Sequence, residues 1–509
     1  MDPFKQLTHG GVLDVAEILF HTRFDYMFPL LAENPDWLLP PGANTQGALL
    51  ALGMAMATDD LTQSNDSTIP AIFTYFGQFI DHNITAQTDR EIGISRIATP
   101  DGNVMDLTPL PADEVAHKLI NGRRPQLDLE QVYGDGPALG TGVNLGETEA
   151  DILYDIQKRL KVVSIAAVPP GFDVPRQPDG TAIIADMRNN ENLNVSQLQC
   201  AFLLFHNNIA AALPGSPSSD ERYIRARRLA RWAYQYVVVN DYLRAVCDPV
   251  VVDDILANGN RYYAPNSDTA FLPLEFSVAA FRFGHSMIRP AYSLNPTHTG
   301  ASALPLSEIL AVGSLLDGTG KLKSEFIIQW HNFAQIMGHP APQMARRIDP
   351  LISKSLAMLP VFLPGSKILL GPLLQQLAQR NLMRGFLLSI PTGQAVAEAM
   401  DIKPLSAANL TDGVSPAISA ALVAGEFQSA TPLWYYVLQE ARFQQNGNRL
   451  GSVGSRIVAE TLIGLARKDR TSYLNNLADP AVTSGGINVA AGHVIATIAD
   501  LLTFAGVPV

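Results

Sequence analysis

One segment of the chain, FTYFGQFIDHN, places three polar side chains on one face of an otherwise apolar helix. Gln78, Asp81 and His82 stand at positions i, i+3 and i+4, which a helix aligns on one side. The neighbouring residues are aromatic or aliphatic, so polar groups in that setting are costly unless a ligand or a reaction uses them. An imidazole beside carboxyl and amide groups can transfer protons. The same spacing also fits the solvent side of an amphipathic helix, and this segment alone leaves both interpretations open.

A second histidine lies in a strongly apolar stretch, FSVAAFRFGHSMIRP. Arg282 precedes His285 by three residues, and the small residues Gly284 and Ser286 flank the histidine. A flat ligand could therefore approach His285 closely, with Arg282 one turn away as a partner for an anionic group. A hydrogen-bonded core histidine is the alternative that this segment by itself does not exclude.

Two further segments carry pairs of functional side chains at helical spacing. In DMRNNENLNVSQLQ, Arg188 and Glu191 stand three residues apart, and in LAQRNLMRGFLLSIP the same spacing joins Asn381 and Arg384. Taken alone, the first pair is more typical of a surface salt bridge than of a site. The second pair indicates little without the other segments.

The common metal and nucleophile motifs are missing from the sequence. There is no H-E-x-x-H, and a di-iron bundle would need two E-x-x-H motifs where only Glu114 with His117 occurs. Neither a phosphate-binding loop nor a G-x-S-x-G elbow is present. What remains is one isolated histidine on each of two helices, with arginines on matching segments. That arrangement suits a haem held between helices, with one imidazole for the iron and the other for acid–base work.

The elements that must position these residues are mostly helical. Apolar periodicity predicts helices over 70–87, 149–162, 195–213, 221–246, 306–314, 343–358, 389–401 and 454–466. Short β-like runs such as Val162–Ala167 are few, and long loops carry most of the proline and glycine. We therefore expect one large, mostly α domain over 1–509 with long irregular loops and little β structure. Residues 1–60 are expected to form an N-terminal extension that wraps the core, and the functional motifs span 73–391.

Composition excludes several classes of function. The formal net charge of −12 argues against an electrostatic grip on nucleic acid or on an anionic membrane surface. Two cysteines, Cys200 and Cys247, cannot form a disulfide framework. No apolar run is long enough for a spanning helix, and the amino terminus lacks the pattern of a secretory signal. The expected location is the cytoplasm, or export without a classical signal, and oligomeric state is not predicted.

All four segments resemble the signature stretches of the animal-type haem peroxidases (the peroxidase/cyclooxygenase superfamily), in the same order and with the same internal spacings. The resemblance implies a single-domain, bacterial-like member. It implies that His82 is the distal histidine, with Gln78 and Arg188 as its distal glutamine and arginine. His285 resembles the proximal ligand of the haem iron, and Asn381 resembles the asparagine that hydrogen-bonds its far nitrogen.

The remaining matched residues imply how the haem is held. Arg282 and Arg384 resemble the arginines on the propionate side. Asp81 and Glu191 resemble the carboxylates that form ester bonds to the haem methyl groups in many members. The implied cofactor is therefore haem b, with an ester linkage through Asp81 and Glu191 as an open question.

The resemblance implies a peroxidase that reduces H₂O₂ through a ferryl intermediate and oxidises a halide, a pseudohalide or a small aromatic donor. The alternative is a haem-dependent fatty-acid dioxygenase. The cyclooxygenase-like members carry a radical-forming tyrosine three residues before the proximal histidine, and Arg282 occupies that position here. This difference favours the peroxidase.

Two departures from the family pattern limit what is carried over. Asn83 stands where the peroxidases have a calcium-binding aspartate, although oxygen ligands remain in Asn83, Asp128 and Glu130. A calcium site there stays open, because Arg124 brings a positive charge that could replace the ion. Asn192 follows Glu191 at the position of the methionine that forms a sulfonium link in myeloperoxidase-like enzymes, so that link is excluded.

Overall fold

The fold is mostly helical, as predicted, with 51% helix and 11% strand. The computed structural model describes residues 22–58, 65–88, 108–137, 139, 152–167, 169–215, 218–263, 270–359 and 375–509. Residues 1–21 of the predicted N-terminal extension lie outside this part of the chain. The remainder of that extension includes the buried residues Phe24, Leu49 and Leu52, which belong to the hydrophobic core.

The longer helices of the described residues are α1 Ala43–Met56, α2 Ile72–Ile84, α3 Ala112–Lys118, α4 Leu193–Ala212, α5 Ser219–Val237, α6 Pro249–Asn258, α7 Leu377–Leu387, α8 Gly393–Ala399, α9 Pro416–Ala424, α10 Leu433–Gln445, α11 Ser452–Lys468 and α12 Ile498–Ala505. Short α-helical turns occur at Pro29–Ala32, Glu130–Tyr133, Leu243–Val246, Leu306–Ile309 and Ala407–Thr411. The 3₁₀ turns that matter for the site are Met187–Asn190 and Ala280–His285, and π-helical turns occur at Val238–Tyr242 and Glu275–Ala279.

The strands are short: β1 Thr22–Asp25, β2 Ala57–Thr58, β3 Asp66–Pro70, β4 Gln87–Thr88, β5 Ile120–Asn121, β6 Val163–Ile165, β7 Gly171–Asp173, β8 Leu272–Pro273, β9 Ala291–Tyr292, β10 Leu304–Pro305, β11 Met344–Arg346, β12 Ile352–Ser353, β13 Val482–Thr483, β14 Gly486–Ala490 and β15 His493–Ile495. The largest sheet has the order β4-β5-β1-β8, and β13, β14 and β15 form an antiparallel meander. These small sheets tie distant loops to the helical core.

Nearly every side chain of helix α2 is buried, which places this helix in the interior of the molecule. It packs against α4 on one side and against the Ala280–His285 turn on the other. The ring of Phe79 stacks on Phe202 of α4 at 4.5 Å between centroids. Gly77 allows Tyr242 to approach, since a Cβ at this position would lie only 2.6 Å from the tyrosine hydroxyl. The polar residues of α2 are thus held in an aromatic core.

The segment that carries Arg282 and His285 is a 3₁₀ turn and not a regular α-helix. In a 3₁₀ helix, residues i and i+3 lie directly above one another, so Arg282 and His285 share one face. The π-helical turn Glu275–Ala279 precedes it and packs against α7 and α10. The predicted pairing of the two side chains therefore survives the change of helix type.

Two predicted helices are wrong in the described residues. Within 149–162, Tyr154 and Leu160 form an antiparallel bridge, and the Asp155 carboxylate accepts the backbone N–H groups of Gln157 and Arg159. An aspartate that bonds its own backbone competes with helix formation. Within 343–358 the chain forms β11, β12 and a 3₁₀ turn instead. Pro350 stands in the middle of that stretch and cannot supply the amide that a helix needs.

Other predicted elements are confirmed. Helices α4, α5 and α11 coincide with 195–213, the first part of 221–246, and 454–466, and β6 lies within Val162–Ala167. None of the helices formed by the described residues has the length and apolar character that crossing a membrane requires.

Candidate active site

A cleft between α2 and the Ala280–His285 turn collects five of the residues that the sequence singles out, and His82 is not part of its lining. It encloses about 750 Å³ of empty space, its open mouth included. Its polar lining is Gln78, Asp81, Asn192, Arg282 and His285. Its apolar lining includes Phe73, Phe281, Ile288, Leu306, Leu310, Leu356 and Leu359.

His82 lies on the last turn of α2 and is only 4% exposed. Its Nδ1 is 2.7 Å from Oδ1 of Asn189, and its Nε2 is 3.5 Å from Oε1 of Glu191. Glu191 in turn accepts a hydrogen bond from the cleft-lining Gln78. His82 is therefore connected to the cleft through Glu191 and Gln78.

Asn192 fixes the orientation of Gln78. Its side-chain oxygen accepts the backbone N–H of Val195 at 2.9 Å and so caps the start of α4. This leaves the Asn192 amide N–H₂ to donate to Oε1 of Gln78 at 3.1 Å. The amide nitrogen of Gln78 consequently points at Glu191. A single side chain thus joins the start of a helix to the polar wall of the cleft.

Asp81 and Arg282 face each other across the cleft. The guanidinium NH1 of Arg282 is 3.9 Å from Oδ2 of Asp81. The Nε of Arg282 donates to the Ser277 carbonyl at 2.8 Å, which fixes the direction of the side chain. Both predicted partners of the cofactor therefore border the same space.

His285 lies on the opposite wall and is 8% exposed. Its Nδ1 is 2.8 Å from the side-chain amide nitrogen of Asn381 on α7. The Trp434 ring lies edge-on to the imidazole at 6.5 Å between centroids, and its N–H donates to the Arg282 carbonyl at 3.1 Å. Asn381 on α7 and Trp434 on α10 thus hold the histidine in one orientation.

Arg188 is not one of the described residues that line the cleft. Its guanidinium donates to the backbone carbonyls of Thr85 and His82, at 2.6 and 2.8 Å, and pairs with Asp186 at 2.6 Å. It therefore holds the carboxyl-terminal end of α2, directly behind the distal histidine. Burial alone would raise the pKa of Asp186, but the guanidinium groups of Arg188 and Arg123 outweigh it and hold that pKa well below its usual range.

Arg380 is a buried neighbour of Arg282 and Arg384, the two arginines expected on the propionate side. Burial, together with the charges of Arg384 and Arg282, lowers the pKa of Arg380 to about 10. The three guanidinium groups lie close enough to influence one another, on α7 and on the Ala280–His285 turn. This part of the site favours an anionic group.

The candidate calcium residues lie together beside the end of α2. The Asn83 side chain donates to Oδ1 of Asp128 at 3.1 Å, and Asp128 also accepts the backbone N–H of Glu130. The Glu130 carboxylate receives the Arg123 guanidinium at 3.2 Å. Burial raises the pKa of Glu130 to about 7, against the charge of Arg123. Two arginines therefore act on this group of oxygens. Arg123 pairs with Glu130, and the charge of Arg124, the residue considered from the sequence, opposes the rise in pKa of Asp128 and Glu130.

Comparisons with known proteins support the interpretation of the site. The animal haem peroxidase family model matches residues 106–385, more than half of the chain. The chain belongs to the animal haem peroxidase family. The match includes His285 and Asn381 but begins after α2, so Gln78, Asp81 and His82 lie outside it.

A sequence relative and two solved structures resemble this chain. Human thyroid peroxidase is 29% identical over 186 residues, which is 34% of this chain and 20% of that protein. The chain therefore spans about a fifth of that relative. Peroxidase A from Dictyostelium discoideum has a TM-score of 0.58 at 17% identity, with 91% of this chain and 92% of that one covered. Fatty acid alpha-dioxygenase from Oryza sativa also has a TM-score of 0.58, at 14% identity, with 99% and 85% covered.

The residues present fit the haem that this family typically binds. With Nδ1 of His285 facing Asn381, Nε2 is the ring nitrogen that would bind iron. Gly284 lines the cleft beside it, and a Cβ at this position would meet open space, so a flat group has room against the backbone. Arg282 and Arg384 would hold the propionates.

Several residues of the site were missed by sequence reasoning: Asn189, Gln199, Asp186, Arg123, Arg380 and Trp434. A signal existed for Gln199, which shares one face of α4 with the polar residues Ser196 and His206 at i, i+3 and i+10. No sequence signal existed for Asn189, because the 3₁₀ turn that orients its side chain was not predicted. Its contact with His82 joins residues 107 positions apart.

Proposed function

We propose that the chain is a haem-dependent peroxidase that reduces H₂O₂ to water and oxidises a halide, a pseudohalide or a small aromatic donor. The observation that carries the proposal is the placement of two histidines on facing elements, each with an asparagine amide at its Nδ1. In this proposal Nε2 of His285 would bind iron, and Nε2 of His82, which lies 3.5 Å from Oε1 of Glu191, would transfer protons.

Haem bound through His285 supplies the redox-active iron at which peroxide is reduced. His82 takes one proton from peroxide at Nε2 and returns it to the departing oxygen, which leaves as water. Gln78 and Asn192 offer amide groups along the same wall to orient the peroxide. Two electrons then come from the donor, so that H₂O₂, two protons and two electrons give two molecules of water.

The apolar side of the cleft favours a second candidate, a fatty-acid dioxygenase. Leu306, Leu310, Leu356 and Leu359 line it and could accommodate an acyl chain. The rice enzyme of similar fold is described as a fatty acid alpha-dioxygenase. Arg282 at the position of the radical-forming tyrosine weighs against this candidate.

The test uses the purified chain reconstituted with haemin. The proposal expects a Soret band, and colour formation when H₂O₂ is added with guaiacol or bromide. His82→Ala should keep the haem but react with H₂O₂ more slowly, by roughly 10²- to 10⁴-fold for the loss of a general acid–base group. His285→Ala should lose the haem itself.

The matched control is His117→Ala, which removes an exposed histidine on α3 far from the cleft and should change neither property. Oxygen uptake with linoleate or palmitate, without colour formation from peroxide, would favour the dioxygenase. A chain that takes up no haemin would contradict both candidates.

A further inference from the structure

Asn189 bonds the ring nitrogen of His82 that faces away from Glu191. We propose that Asn189 is a positioning residue that fixes the neutral tautomer of His82, with the proton on Nδ1 and the lone pair on Nε2. The inference rests on the proposed function, in which Nε2 is the proton acceptor. Neutral imidazole can carry its proton on either nitrogen, and only one of these forms has a basic Nε2.

A chain of amides determines which atom Asn189 presents to the ring. The backbone carbonyl of Gln131 can only accept, and it receives the side-chain amide of Gln199 at 3.4 Å. Oε1 of Gln199 then accepts the amide N–H₂ of Asn189 at 2.8 Å. Oδ1 of Asn189 is left to face Nδ1 of His82 at 2.7 Å. Since this oxygen can only accept, the ring nitrogen must donate, and the proton is fixed on Nδ1.

The reverse orientation would be costly because every member of this chain of amides is buried. Asn189, Gln199 and Gln131 have no exposed surface. Turning both amides would place Oε1 of Gln199 against the Gln131 carbonyl and the N–H₂ of Asn189 against the ring. Two acceptors facing each other in the interior lose a hydrogen bond and leave a polar group unsatisfied.

The backbone around Asn189 is also fixed. Asp186 caps the 3₁₀ turn Met187–Asn190 through the backbone N–H of Arg188, and the N–H of Asn189 donates to the Asp186 carbonyl. The charged groups that face His82 are Glu191 near Nε2, Asp186 and Arg188 behind it, and Asp81 next to it in the chain. Unlike these charged groups, Asn189 is neutral, so it orients the ring without adding a charge.

The tautomer can be measured without haem. The full chain, labelled with ¹⁵N-histidine, gives ring nitrogen shifts that separate the two neutral forms, and His82→Ala assigns the resonance. The expected result is Nδ1–H in the wild-type chain and a mixture of both forms in Asn189→Ala. A wild-type ring with its proton on Nε2, or an Asn189→Ala spectrum identical to the wild type, would overturn the inference.

The second measurement is the rate of reaction of the holoenzyme with H₂O₂ as a function of pH. Asn189→Ala should slow it by roughly ten- to a hundredfold, the usual effect of removing a partner that orients a site histidine. Asn189→Asp places a carboxylate at Nδ1 and stabilises the protonated ring. The acid limb of its profile should therefore move to higher pH, by about one unit or more.

Asn190→Asp is the matched control. Asn190 is the next residue, equally buried, but its oxygen accepts from Arg176 and Ser196 and not from His82. Asn190→Asp should leave the acid limb of the pH–rate profile where it is in the wild type. A uniform loss of rate in Asn189→Asp, with no movement of the limb, would mean a merely structural role and would overturn the inference. A chain with the Nδ1–H tautomer that does not react with H₂O₂ would refute the proposed function and leave the tautomer assignment standing.

Discussion

Neutral amides, and not carboxylates, orient both histidines of the site. Asn189 and Asn381 each lie within hydrogen-bond distance of an imidazole Nδ1. A carboxylate in either place would stabilise the imidazolium, or increase the anionic character of an iron-bound ring. With an amide partner at His285, we expect a comparatively high ferric/ferrous potential once haem is bound.

The two carboxylates at the cleft allow a test of covalent attachment. Asp81 lines the cleft and Glu191 contacts the cleft-lining Gln78, so both are candidates for the proposed ester links to haem. After treatment of the holoenzyme with H₂O₂, acidified acetone should fail to extract the haem. The double variant Asp81→Asn/Glu191→Gln should release it, and each single variant should retain it through one ester.

Asp113→Asn is the control for this experiment, because Asp113 is an exposed acidic residue in the first turn of α3. It should behave as the wild type does. Clean extraction of haem from the peroxide-treated wild type would show that Asp81 and Glu191 have only structural roles.

At the scale of elements, one helix is capped by a side chain from its neighbour. Helix α11 has no side-chain cap of its own, and the Glu440 carboxylate of α10 accepts the backbone N–H groups of Val453 and Gly454 at 3.0 and 3.1 Å. Glu440 is fully buried, and burial raises its pKa to about 7 although the two amides lower it. The joint between α10 and α11 is therefore sensitive to pH.

The sign of that sensitivity follows from proton binding. The folded chain holds the Glu440 proton up to about pH 7, and the unfolded chain releases it near 4.5. The folded state binds more protons in between, so the free energy of unfolding falls as pH rises through this window, by about 3 kcal/mol for this group. Glu440→Gln cannot ionise and should lose that part of the slope in denaturant titrations at several pH values.

The exposed residue Glu308 provides the comparison for this measurement. Glu308→Gln should keep the pH dependence of the wild type. Identical slopes in Glu440→Gln and in the wild type would contradict the raised pKa of Glu440.

The elements show what sequence can and cannot predict. Helix α2 and the Arg282–His285 pairing were predictable, because the period of apolar residues and a spacing of three are local properties. The predicted helix at 343–358 failed where Pro350 interrupts it, although the apolar period was present. Asn189 could not be found, because its role depends on a 3₁₀ turn and on a partner from a distant helix.

At the scale of the whole molecule, the cleft depends on parts of the chain that lie far apart. The family match covers His285 and Asn381 but not α2, which carries His82. The small sheet β4-β5-β1-β8 joins the chain just after α2 to the strand that precedes the Glu275–Ala279 turn. Helix α2, which carries His82, packs against the Ala280–His285 turn, and the stacking of Phe79 on Phe202 fixes α2 against α4.

The cysteines predict how the folded molecule responds to thiol reagents. Cys200 and Cys247 are free and buried, and burial raises the pKa of both thiols. Only the thiolate reacts, so the native chain should show no reaction with a disulfide reagent, while both thiols should react in guanidinium chloride. A reductant should leave the melting temperature unchanged.

Ser484→Cys, at an exposed position before β14, supplies the positive control and should add one reactive thiol in the native state. Rapid labelling of the native wild type would mean that the core opens around one of the two cysteines.

Asn192 couples two properties that an engineer would want to change separately. Its side-chain oxygen caps the start of α4, and its side-chain nitrogen donates a hydrogen bond to Gln78. A thioether at this position, introduced to imitate enzymes with a third haem link, could do neither. It would cost about 1 kcal/mol for the lost cap and would release a side chain that borders the reaction. A gain in oxidising power by this route therefore requires a second substitution, one that replaces the cap before the methionine is installed.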